Sequence, residues 1–297
     1  MLKLEHLAGL WERYREAASA PVREFEIGGR PFPFNSRPAL MGVVNLSADS
    51  WYRESVCLSV EAALQRGRVL AAQGAAMVDL GAESTLAHAA RVTEAAQTDR
   101  LLPIIRGLRA EGVLVSAETY QPAVARASLE AGASVLNLTG TDGVEEMYRL
   151  AAAHGAAVIV CYVQGANVRE VGDFDLGADP VGLLYEHFAR ETERAERCGV
   201  NRILIDPGLG FYYRNLQDSA VRVRHQMRTF LNTFRLRKLG WPVCHALPHA
   251  FEFFREEVRC AEPFFAVLAA LGETDLFRTH EVPRTRAVLE TLGLWES

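Results

Sequence analysis

The chain has 297 residues, 49% of them hydrophobic and 23% charged, with a formal net charge of −5. That composition suits one large buried core and excludes the strongly basic surface that a nucleic-acid partner needs. No apolar run approaches the roughly 20 residues of a membrane span. The five cysteines, at 57, 161, 198, 244 and 260, show neither a CxxC pair nor a disulfide framework. Met1-Leu2-Lys3-Leu4-Glu5-His6 lacks an apolar signal core, so a cytoplasmic protein with no membrane partner is expected.

Residues 3–18 carry Leu4, Leu7, Leu10 and Tyr14 at helical spacing and predict an amphipathic helix. Phe25-Glu26-Ile27 and Pro31-Phe32-Pro33-Phe34 flank Gly28-Gly29-Arg30 and predict a small hairpin. Residues 1–38 are read as an extension of helix and hairpin, and 39–297 as the main domain.

From residue 39, short apolar runs alternate with helical stretches. The runs are Ala39–Asn45, Met77–Gly81, Val113–Glu118, Ser134–Leu138, Ala157–Tyr162, Ile203–Asp206, Val243–Leu247 and Leu276–Thr279. Continuous apolar runs suit strands buried on both faces. About eight βα units predict an α/β protein with a (β/α)8 TIM barrel, and a doubly wound sheet is the alternative. The longest loop, from about Val163 to Pro180, is a candidate lid.

In a barrel, ligand groups gather at the C-terminal ends of the strands. There the chain repeatedly places polar residues: Asn45, Glu83-Ser84-Thr85, Glu118-Thr119, Asn137, Cys161, Asp206, His245 and His249, Arg278 and His280. Any single one of these could serve as a helix cap. Capping alone does not account for the whole set at one mouth. Asp206-Pro207-Gly208-Leu209-Gly210-Phe211 is the most informative stretch, because its glycines let the backbone approach whatever the carboxylate holds.

Several of these segments together resemble the dihydropteroate synthases. Met41-Gly42-Val43-Val44-Asn45-Leu46-Ser47-Ala48-Asp49-Ser50-Trp51 resembles that family's MGI-x-NxTPDSF. Gly74 to Thr85 resembles GADIIDIGGEST, and Ser116-Ala117-Glu118-Thr119 stands where the family has S-x-DT. Ala131 to Asn137 resembles AGA-xx-IN, Asp206 to Phe211 resembles DPGxGF, and Arg278 to Val282 resembles RxHDV. The matches run in family order from about residue 39 to the C-terminus.

The resemblance implies a pterin-binding transferase that joins a hydroxymethyl-dihydropterin diphosphate to p-aminobenzoate in folate biosynthesis. It places Glu118, Asn137, Asp206 and Cys161 around the pterin. A carboxylate suits the pterin's adjacent N–H donors, and Asn supplies both a donor and an acceptor. The resemblance puts Asn45, Thr85, Arg278 and His280 at the diphosphate, with Asn45 on Mg²⁺. Asn45, Asp206, Arg278 and His280 are the implied catalytic set. Families of this kind often form homodimers.

The chain also departs from the family. Pro248-His249-Ala250 replaces the SRK motif, Leu86-Ala87-His88 replaces RPG after Thr85, and Tyr213 replaces the Lys of GFGK. Arg53, Arg214 and His249 are the candidates for a second-substrate pocket. The lost cations keep two alternatives open: a methyl transferase acting on a reduced folate such as methyltetrahydrofolate, and a non-catalytic pterin-binding or scaffold protein.

Three features have their own readings. Cys244, His245 and His249, with Cys161, form a zinc candidate of non-standard spacing, set against packing of Cys244 and a pocket-lining His. Arg222, Arg224, Arg228, Arg235, Arg237 and Lys238 read as a solvated basic helix face. Phe264 to Leu271 reads as a helix packed on the barrel or in a dimer interface.

Overall fold

The computed structural model describes every residue except Trp51, Ala87, His88, Leu176, Ala178, Tyr212, Glu296 and Ser297. The end of the first motif, the residues after Leu86, and Tyr212 thus lie outside the described residues. The elements run α1 (Leu4–Tyr14), β1 (Phe25–Ile27), β2 (Arg30–Phe32), β3 (Ala39–Asn45), α2 (Val60–Ala72), β4 (Met77–Gly81), α3 (Glu94–Ala110) and β5 (Leu114–Thr119). Then follow α4 (Pro122–Ala131), β6 (Val135–Leu138), α5 (Val144–Ala153), β7 (Ala157–Cys161), α6 (Pro180–Arg197) and β8 (Ile203–Asp206). The chain ends with α7 (Ser219–Leu231), β9 (Cys244–Ala246), α8 (Phe251–Phe254), α9 (Ala261–Leu271), β10 (Leu276–Thr279) and α10 (Val282–Gly293).

Local chemistry starts several of these helices. Ser59, Thr93 and Asp218 cap α2, α3 and α7 by accepting from Ala62, Ala96 and Val221 N–H groups. Proline occupies the first turn of α4, α6 and α10, where its missing N–H costs nothing.

Strands β3 to β10 form one parallel sheet in the order β8-β7-β6-β5-β4-β3-β10-β9. Its two edges meet where Ile205 bridges to Val243, and the Ile205 N–H donates to the Pro242 carbonyl at 3.0 Å. The sheet is therefore a nearly closed barrel. The doubly wound alternative is excluded, because an open sheet leaves its edges apart.

Side chains alternate between faces along each strand. Outward residues such as Val78, Leu80, Val115, Leu136, Val158 and Ile205 pack under the helices with Leu70, Leu108, Leu184, Phe230 and Phe265. Inward residues at the lower level are apolar: Met41, Met77, Leu114, Val135, Ala157, Leu204, Cys244 and Leu276. Val22, Ile27, Phe32 and Phe34 join that cluster and seal the barrel from below. One pleat higher Asp79, Ser116, Asn137, Asp206 and Arg278 make most of the inward positions polar, and that change creates the site.

One reading is corrected. The basic run is not a single solvated face: it divides between α7 and a 3-10 stretch, Thr233–Leu239, and both Arg222 and Arg237 are buried. Arg237 pairs with Glu273 at 2.5 Å and Asp275 at 3.4 Å. The candidate lid has one buried anchor among its described residues. Arg169 is buried there and donates to the carbonyls of Ser84 at 2.8 Å and of Ala89. Among the described residues, no helix is long and apolar enough to cross a membrane.

Helix α9 turns Phe265, Ala266, Leu268 and Ala269 to the core and ends at Gly272. A Cβ on Gly272 would overlap the Phe230 carbonyl oxygen, so α7 and α9 close on each other only because that position is bare. Gly272→Ala is expected to cost about 1–3 kcal/mol by overpacking. Urea unfolding measures it, and an unchanged midpoint would mean that the junction relaxes freely.

Candidate functional site

Strand register brings the polar residues to one level. Asn45 pairs with Gly81, Gly81 with Glu118, Glu118 with Asn137, and Cys161 with Asp206. Asp206 ends β8, and one of its carboxylate oxygens accepts the Gly208 N–H at 2.8 Å. Gly208 has φ 72°, and a Cβ there would overlap the Tyr162 carbonyl oxygen, so this turn demands glycine. The Cys161 thiol donates to Asn137 Oδ1 at 3.2 Å, and Asn137 Nδ2 donates to Asp79 Oδ2 at 3.2 Å.

Arg278 ties this ring together. Its Nε donates to Asp79 Oδ2 and its Nη2 to Glu118 Oε2, each at 2.7 Å. Asp79 is fully buried and also accepts from Ser116 Oγ at 2.6 Å. Burial pushes the Asp206 carboxyl up to about 6, against the pull of the Gly208 N–H and Arg278. Burial likewise raises Glu118, opposed by Arg278 and reinforced by Asp79 and Asp206. Arg278 stays charged beside these carboxylates.

A second polar group lies on the other wall. His280 Nδ1 is 2.7 Å from Glu262 Oε1. Tyr52 stacks against both His249 and His280 at 4.7 Å, and its hydroxyl donates to Glu281. Burial lowers His280 to about 3 and His249 to about 4, so both imidazoles are neutral near pH 7. Asn45 Nδ2 donates to Ser55 Oγ at 2.7 Å, which leaves the amide oxygen on the Gly81 side with Glu118 Oε2.

Of the residues singled out from sequence, Asn45, Thr85, Glu118, Asn137, Cys161, Asp206, His249, Arg278 and His280 line one cleft. Arg53 and Arg214 are exposed and do not line it. Arg53 instead donates to the Ala48 carbonyl at 2.8 Å. The cysteine-based zinc constellation does not assemble. Cys244 packs in the lumen cluster, while His245 faces outward to Thr233 Oγ1 at 2.8 Å.

Sequence reasoning missed three contributors. Asp79 sits inside an apolar run, and its signal was period two: it shares the inward face of Met77. Arg222 lines the cleft with Glu252 and Gln226, and its Nη2 reaches Glu252 Oε1 at 2.6 Å. Glu262 is a lone charge in an apolar helix, itself a signal of a buried partner.

A model of the family described as Pterin binding enzyme matches residues 41–247. A probable bifunctional folylpolyglutamate synthase/dihydropteroate synthase of Halobacterium salinarum is 33% identical over 264 residues, covering 85% of this chain and 31% of that protein. A dihydropteroate synthase of Synechocystis sp. is 28% identical over 283 residues, 91% of this chain and 94% of that one. The chain thus spans under a third of the length of the Halobacterium relative, at 31%. The solved dihydropteroate synthase of Xanthomonas albilineans with 4-aminobenzoic acid superposes with a TM-score of 0.77 at 28% identity, over 93% of this chain and 99% of that one. That of Thermus thermophilus in complex with 6HMPPP gives 0.70 at 28% identity, over 92% and 99%.

Removing Arg278 leaves buried carboxylates uncompensated. Arg278→Met is expected to cost about 3–5 kcal/mol in unfolding free energy at alkaline pH, with Asp79→Asn restoring part of it. The loss should shrink toward pH 5, where the raised carboxyls take up protons. Urea unfolding at both pH values tests this; an equal loss at both would contradict the compensation.

Proposed function

The chain belongs to the pterin binding enzyme family, and on that premise we propose that it is a transferase of the dihydropteroate synthase type. The reaction joins the methylene carbon of a 6-hydroxymethyl-dihydropterin diphosphate to the amine of p-aminobenzoate. The amine nitrogen forms the new C–N bond, the C–O bond to diphosphate breaks, and the amine proton leaves with water or diphosphate. The observation that carries the reading is the convergence of Glu118, Asn137 and Asp206 in one cleft, on neighbouring strand ends. The relatives named above are synthases, which gives methyl transfer and a bare scaffold no comparable support.

The residues divide the work by chemistry. Asp206 and Glu118 accept the pterin's amino and ring N–H groups, and Asn137, held by Asp79 and Cys161, fixes its orientation. Arg278 keeps Glu118 in place and adds positive potential for the departing diphosphate. Asn45 and Thr85 stand beside it on the cleft wall. The Asn45 amide oxygen, on the cleft wall, suits a hard cation; Mg²⁺ held there would neutralise leaving-group charge. Arg222 supplies a cation toward the p-aminobenzoate carboxylate, from a helix rather than from the strand end that lost its Lys. The proposal includes a cytoplasmic setting and a homodimer, whose partner would cover Phe264 and Leu271, exposed by 41% and 52%.

Pterin donors favour ionised carboxylates, whereas burial keeps the free Asp206 and Glu118 carboxyls partly protonated. Binding should therefore release protons near pH 6 and tighten as pH rises from about 5 to about 8. Calorimetry with the pterin diphosphate in buffers of different ionisation heat checks both. Asp206→Asn should weaken binding by about 100-fold or more, from two charge-assisted bonds of about 1.5–3 kcal/mol each. Undiminished binding in that variant, or preference of the wild type for 5-methyltetrahydrofolate with no turnover of p-aminobenzoate, would overturn the reading.

A further inference from the structure

The wall opposite the carboxylate ring holds a cluster that pterin recognition does not use. Glu262 is fully buried. Its Oε2 is saturated by the Thr279 hydroxyl and by the N–H groups of His280 at 2.9 Å and Glu281 at 3.1 Å. Its Oε1 also accepts the His280 N–H at 3.2 Å and faces two imidazoles, His280 Nδ1 at 2.7 Å and His249 Nδ1 at 3.5 Å. His249 Nδ1 is buried with no hydrogen-bond partner. Hydrogen bonding explains one imidazole and leaves the other unexplained.

One ligand atom from each of His249, Glu262 and His280 lies within 4.8 Å of the others. Ligands bonded at about 2.0–2.2 Å to a tetrahedral ion sit roughly 3.3–3.6 Å apart. The 3.5 Å gap between His249 Nδ1 and Glu262 Oε1 fits an ion between them better than a direct bond, whereas the 2.7 Å hydrogen bond between His280 Nδ1 and Glu262 Oε1 would have to open on binding.

We propose that His249, Glu262 and His280 form a site for a divalent transition-metal ion of the zinc class. Two imidazoles and one carboxylate prefer such ions to magnesium. Three protein ligands leave a fourth position, and both histidines line the cleft, so that position opens toward the substrate space. When the ion takes Nδ1 of neutral His280, the ring proton moves to Nε2, with no net release. The ion brings positive charge to a cleft whose Arg278 is already engaged by two carboxylates. Its service to an anionic substrate group rests on the transferase reading; its binding does not.

The test titrates chelator-stripped, full-length protein with Co²⁺ and Zn²⁺. One ion per chain is expected, with visible Co²⁺ bands of a tetrahedral site. His249→Phe keeps an aromatic ring beside Tyr52 and Phe251, and should weaken the ion by more than about 100-fold, beyond the 10–100-fold typical of outer-shell changes. No stoichiometric ion in the wild type, or equal affinity in His249→Phe, overturns the site. Pterin titration of the same stripped protein separates the two ideas: pterin binding without an ion sinks only the metal site, and an ion without pterin binding sinks only the transferase reading.

Discussion

One guanidinium sets the terms for this cleft. Arg278 bridges Asp79 and Glu118 inside the barrel, with Asp206 as a third carboxyl on the same ring. If all three were ionised, one cation would face three anions in a medium that solvates none of them well. The conflict is eased by protons on the less firmly paired groups, which is why Asp206 and Glu118 sit above the ordinary carboxylate range. A ligand that offers N–H donors relieves the same conflict more completely. The free cleft is thus prepared for a donor-rich edge, and a pterin has one.

That electrostatic state depends on parts of the chain far from any ligand. The lumen is apolar below the ring because Met41, Met77, Leu114 and Val135 fill it and the hairpin residues Ile27, Phe32 and Phe34 close it. Water admitted from below would solvate the carboxylates and return their proton affinities toward normal. Ile27, Phe32 and Phe34 thus belong to the apolar floor beneath the carboxylate ring.

Much of this was legible in the sequence. Strands Ala39–Asn45, Met77–Gly81, Ile203–Asp206 and Leu276–Thr279 have the bounds read from their apolar runs, because strands buried on both faces leave no alternation to confuse. The strand-end residues of the cleft were legible for the same reason. What escaped was set by pairing across long separations. Asp79 looks like an interruption of the core until Arg278, 199 residues later, is placed beside it. Arg222 looks like one more surface arginine of a basic helix until Glu252, 30 residues on, comes into reach. Arg169, inside the segment read as a candidate lid, holds carbonyls about 80 residues earlier in the chain.

The two cleft arginines are not interchangeable as partners for an incoming anion. To turn toward a substrate, Arg278 would have to leave Asp79, whose side chain is 0% exposed, at the several kcal/mol typical of an unpaired buried charge. Arg222 is itself buried and its Nη1 also donates to the carbonyls of Leu216 at 3.0 Å and Gln217 at 3.2 Å, but its acidic partner Glu252 has a side chain that is 49% exposed. Under the proposed function, a carboxylate arriving in the cleft would compete with the half-exposed Glu252 for Arg222 and with the fully buried Asp79 for Arg278. Arg278 belongs to the frame of the carboxylate ring, and Arg222 is the cleft cation whose acidic partner is the more exposed. With Pro248-His249-Ala250 after its strand end β9, the chain brings a positive charge to the cleft wall from helix α7, through Arg222.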